Sequence, residues 1–179
     1  MRVTLFFIYG LSILSLKAQK HDYVWVNGYR SYPVIPKFGG ILLDFNKSPR
    51  EVKVNYRDLN FGTVNTSMCD SVGNLLFYSN GCAIAGADDS LILNGDNINP
   101  GDLHDKFCYD QYNLGYISGQ QSILSLPFPG FPHQYITFHT GIENVPVPSA
   151  GTSAQATKFY YTKVDMNPNA GTGAIIEKS

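Results

Sequence analysis

Charge is scarce in this chain: 15% of the 179 residues are charged, 14 acidic against 13 basic. No basic stripe is available for nucleic acid, and no amphipathic basic helix for a membrane surface. Helical periodicity is missing too, since no stretch of about a dozen residues carries an apolar 3.6-residue repeat. Cysteine is limited to Cys69, Cys82 and Cys108 without a CxxC pair, which argues against a cysteine-built metal centre. His21, His104, His133 and His139 fall in neither an HxxxH nor an HExxH pattern. His139 reads as a structural histidine beside Phe138 in a strand. The familiar catalytic signatures are therefore absent.

Turn formers and aromatic rings are abundant instead, with 17 Gly, 10 Pro, 12 Tyr and 11 Phe. That mixture describes an all-β protein of short strands joined by many turns. The organising stretch is Cys69–Gly81, CDSVGNLLFYSNG. Asp70 to Asn74 is turn chemistry, Leu75 to Tyr78 is a short apolar strand, and Asn80-Gly81 closes it with a second turn.

The first residues give an address. Met1-Arg2, an apolar run from Val3 to Leu16, and Ala18 before a polar stretch fit a secretory signal peptide over residues 1–18. The apolar run is short for a membrane span, which needs roughly 20 residues. A retained anchor is the competing reading. Cleavage after Ala18 removes Arg2 and Lys17, leaving 11 basic and 14 acidic residues and a net charge of −3. Such a chain is secreted or displayed on the cell surface and is not inserted in the membrane. Export permits a disulfide, and three pairings are possible. Cys69 sits in a strand as a small hydrophobe, whereas Cys82 and Cys108 both flank loops and are the favoured bridge.

Further strands are expected over 23–26, 40–45, 51–57, 63–69, 82–85, 91–93, 122–126, 134–139, 158–165 and 173–177. Residues 94–119 and 142–157 read as loops. Phe77-Tyr78-Ser79-Asn80-Gly81 and Phe138-His139-Thr140-Gly141 echo one another, their phenylalanines 61 residues apart. Four brief antiparallel strands recurring at such a spacing are the habit of a β-propeller blade. One blade would span about 63–93 and another about 120–177, with earlier strands belonging to a neighbour. The alternative architecture is a complete small β-sandwich.

Gly40–Phe45, the CDSVGNLLFYSNG run, Leu93–Asp96, Asn99–Gly101, Tyr160–Met166 and Gly171-x-Gly173 together resemble the amino-terminal part of secreted β-propeller proteins from Bacteroidota. Such proteins are type IX secretion cargo and often carry PKD-type repeats or a carboxy-terminal sorting domain. The resemblance covers residues 22–179 and implies an incomplete propeller over 19–179, a fragment whose further blades lie elsewhere. Its motifs mark blade geometry and assign no active site.

The candidate binding residues are Tyr109, Tyr112 and Tyr116, which crowd a polar loop and could offer a sticky surface to a glycan or protein ligand. Asp88, Asp89, Asp96, Asn97, Asn99, Asp102 and Asp105 gather oxygen ligands of the kind Ca²⁺ takes, although not in EF-hand order. The Ser67, Asp70 and Gly73 spacing departs from the Asp-box of sialidase propellers. The expected function is non-catalytic adhesion or ligand binding. The alternative is a fragment of a glycan-active hydrolase whose catalytic carboxylates lie in other blades, for which paired buried carboxylates would be the sign.

Overall fold

The computed structural model describes residues 19–28, 39–55, 57, 59–109, 115–119, 121–148 and 151–179. The expected signal peptide, residues 1–18, lies outside them. The described chain is mostly antiparallel β-structure in three sheets. The first sheet holds β1 (Val24–Gly28), β2 (Gly40–Asp44) and β3 (Glu51–Asn55) in chain order. The second holds β4 (Thr66–Cys69), β5 (Leu75–Ser79) and β6 (Ile84–Gly86). The third is a four-stranded meander of β7 (Ile123–Pro127), β8 (Gln134–Val147), β9 (Gly151–Asp165) and β10 (Ala174–Lys178). All-β is what the composition led one to expect.

The β4–β5 turn forms as its residues dictate. One Asp70 carboxylate oxygen accepts the amides of Val72 and Asn74, each at 2.9 Å, and the other accepts the Asn74 side chain at 2.8 Å. Gly73 takes φ 98°, which glycine adopts at little cost. Its carbonyl receives Asn46 Nδ2 at 2.8 Å, so the turn is docked onto the β2–β3 connection. Side chains alternate across a strand, and β5 uses both faces. Phe77 and Tyr78 are each fully buried, but in opposite directions.

On one side, Tyr78 and Ala85 meet Val26 and Phe61 of the first sheet and its approach. On the other, Met68, Phe77 and Ile84 meet Ile123, Tyr135, Val164 and Ile175 of the third. β4 obeys the same alternation: Ser67 Oγ accepts the Val26 amide at 2.9 Å, while Thr66 Oγ1 accepts the Ser125 amide at 3.2 Å. The second sheet is thus packed on both faces. The outer faces of its two neighbours are not, and they carry exposed Trp25, Val52 and Val54 at one end of the series and Leu124, Leu126 and Phe159 at the other.

Three expectations need correction. The polar stretch 94–119 contains a two-turn helix, α1 (Asp102–Cys108), too short to show a helical period. Leu103, His104 and Cys108 bury its inner face, and Asp102, Asp105 and Lys106 suit its dipole. Within 142–157, expected as a loop, residues 142–147 and 151–157 extend β8 and β9 as an antiparallel pair. The expected strand 91–93 shrinks to single bridges, Leu91 to Ala85 and Leu93 to Ala174.

Candidate functional site

At one end of the second and third sheets, three turns far apart in sequence enclose a groove of about 790 Å³. They are the β4–β5 turn at Asp70 and Ser71, the β7–β8 turn from Phe128 to His133, and the β9–β10 connection at Met166 and Gly171. His21 and Gln19 close one side. The prolines of Pro127-Phe128-Pro129-Gly130-Phe131-Pro132 fix the backbone, and Gly130 turns it at φ 83°. Phe128 and Phe131 then stack at 5.3 Å between centroids and 28° between planes. Phe131 stays half exposed at 51% although it is large and apolar. A rigid, open aromatic shelf results.

The polar side of the groove is held in place from beneath. His21 Nδ1 lies 2.7 Å from the Cys69 carbonyl oxygen and Nε2 3.2 Å from Gln19 Oε1, so the ring is held between two acceptors. The His21 ring meets Tyr135 edge-on at 6.2 Å, and Tyr135 in turn abuts Phe77 of the core. Among the described residues Asp70 is the one carboxylate in the lining. Partial burial works against its charged form, yet the hydrogen bonds from Asn74, Val72 and Gly73 outweigh this and hold its carboxyl below the usual range. Its lone pairs are spent on the turn, so it serves poorly as a proton donor.

The opposite end is closed by a buried polar network. His139 Nδ1 donates to Asn99 Oδ1 at 2.7 Å, and His139 Nε2 accepts from Thr162 Oγ1 at 2.9 Å. Asn99 Nδ2 donates to the Gly81 carbonyl at 2.9 Å, and Asn80 Oδ1 receives the Cys82 and Ala83 amides. Burial pushes His139 down to about 4, so it is neutral at pH 7. It is a satisfied structural histidine, as its strand position suggested.

The tyrosines expected to bind ligand are dispersed. Tyr112 lies outside the described residues. Tyr116 is buried, its hydroxyl accepting the Ile142 amide at 2.8 Å, and the missing side chain of Gly81 leaves room for it. Tyr109 is exposed and its ring lies edge-on to His104 at 5.1 Å. The oxygen-rich loop residues likewise have separate partners. Asp89 pairs with the buried Arg57 and accepts from Tyr78, Asp88 accepts from Ser90, and Asn99 faces His139. Cys82 and Cys108 form the favoured disulfide, with Cα atoms 5.7 Å apart. Cys69 is a buried thiol pushed up to about 11 by desolvation.

Among the described residues no helix is long and apolar enough to cross a membrane. Comparison with protein families, curated proteins and solved structures finds no match to the chain. Its chemistry must be argued from the groove itself.

Proposed function

We propose that this chain is a non-catalytic, ligand-binding segment of an exported β-propeller and that the end groove takes a glycan. The stacked Phe128–Phe131 shelf beside fixed polar groups carries the reading. A sugar ring offers an apolar C–H face to an aromatic plane and hydroxyls to neighbouring donors and acceptors, and the groove presents both. Glycoside hydrolysis needs two carboxylates roughly 5–9.5 Å apart. Among the described residues the lining holds Asp70 alone, already committed to its turn, so the groove is read here as a binding site.

The propeller reading is supported by the serial packing. Each sheet lies against the next, and the apolar outer faces at the two ends are what further sheets of a closed ring would cover. The Cys82–Cys108 bridge suits an oxidising compartment, in keeping with export.

The test is an oligosaccharide array followed by calorimetry of the full chain. Binding by one saccharide class, lost in Phe131→Ala with melting temperature unchanged, is the expected result. No saccharide bound, or binding indifferent to Phe131→Ala, overturns the assignment.

A further inference from the structure

We infer that Cys82, His104 and Cys108 are a latent site for a zinc-class divalent cation, opened when the disulfide is reduced. The two sulfurs and one imidazole nitrogen lie within 4.8 Å of one another, and all three residues are buried. A tetrahedral zinc site with bonds of about 2.0–2.3 Å spaces its ligand atoms roughly 3.5 Å apart. The sulfurs need only part and the imidazole close in by about an ångström. His104 and Cys108 stand four residues apart on α1, so they share one helix face, and Cys82 comes from the loop beneath it. Two scattered cysteines without a CxxC gave no such signal in the sequence.

The second observation concerns His104. Its Nδ1 lies 3.3 Å from Asp105 Oδ1 and its Nε2 3.3 Å from the Cys82 carbonyl, and both partners are acceptors. A neutral imidazole has a single N–H to donate. Whichever nitrogen carries it, the other points a lone pair at an oxygen, either the buried Cys82 carbonyl or the exposed Asp105 carboxylate. A cation removes that mismatch. With Nε2 on the metal, Nδ1–H donates to Asp105, the carboxylate–histidine pairing that orients metal-bound imidazoles. The rings of Tyr109 and Tyr116, at 5.1 and 6.3 Å, shield the imidazole.

The step balances simply. A dithiol or phosphine delivers two electrons to the S–S bond and is itself oxidised, giving two thiols. Binding of the cation then releases both thiol protons, because only thiolates ligate. Bridge and metal exclude each other, so the cluster is a covalent staple when oxidised and a metal site when reduced.

The experiment reduces the full chain with a phosphine, removes the reductant under inert gas and titrates Co²⁺. One equivalent should produce a thiolate-to-cobalt absorption band that Zn²⁺ abolishes, and the unreduced chain should give none. Cys69→Ser should keep the band, and Cys82→Ser should lose it. Asp105→Asn, at an exposed carboxylate, should weaken affinity roughly 10-fold or more. Zn²⁺ should also protect Cys82 and Cys108 of the unmutated reduced chain from alkylation, read residue by residue by mass spectrometry. A reduced chain that takes no cobalt, whether folded or not, overturns the inference. So does a band unaffected by His104→Gln.

Discussion

The β8–β9 hairpin is two structures in one. From Gln134 to Gly141, paired with Lys158 to Asp165, it lies inside the third sheet, and Tyr135, Thr137, His139, Thr162 and Val164 are buried. From Ile142, still buried against Tyr116, to Val147, paired with Gly151 to Ala156, it leaves that sheet, and β9 is exposed all along this part. The halves meet where the register slips between Gly141 and Ile142. A Cβ on Gly141 would fall 2.6 Å from Tyr160 Cε2, so only glycine lets that ring cross. Hydrogen bonding is the same on both sides of the slip, and burial is not. Backbone pairing shapes a strand, whereas packing of its side chains supplies most of its stability.

The largest separation between the halves should appear in acid. His139 titrates near 6.5 when unfolded and about 4 when folded, so the unfolded chain binds the extra proton between those values. Stability must therefore fall as pH drops from 6.5 to 4 and lose no more from this group below that. The loss amounts to about 3 kcal/mol. Urea midpoints across that range should slide for the natural chain, while His139→Gln, destabilised at pH 7, should show a flatter profile. Equal slopes for both would mean that the network around His139 opens to water.

A smaller effect comes from packing alone. Val164 is fully buried between β8 and β10 and touches the central core. Val164→Ala removes two methyl groups and leaves a gap, which costs about 2 kcal/mol in urea unfolding.

The same division decides what could be read beforehand. The Asp70–Gly73 turn, the Phe77-Tyr78 strand and the four strands of the meander were legible because local turn chemistry and alternation fix them. The distal ribbon was not. Its Ser, Thr, Ala and Pro residues have no face to bury and hence no alternation to display. The helix at Asp102–Cys108 gave too few turns for a period, although His104 and Cys108 at a four-residue spacing were a usable clue. The burial of Tyr116 is not legible because it depends on residues remote in sequence, Cys82, Leu103 and Ile142, that close around it. The groove escaped notice for the same reason. The Asp70 turn is legible in the sequence, but nothing local says that Asp70, Phe131 and His21 converge. The proline-flanked phenylalanines were the available sign, since a turn so stiff and apolar is costly to expose without use.

The smallest effect checks the outer face of the packed half. Phe159 lies in the half inside the third sheet, on its outer face, exposed at 71%, and its ring stacks on Phe138 at 5.7 Å. If nothing covers that face in this chain, Phe159→Ala removes one exposed stack and should shift stability by about 0.5 kcal/mol. A loss several times larger would mean that the ring is buried in solution by something packed over the third sheet. The packed half would then be covered on both faces, and its contrast with the half beyond Gly141 would be sharper still.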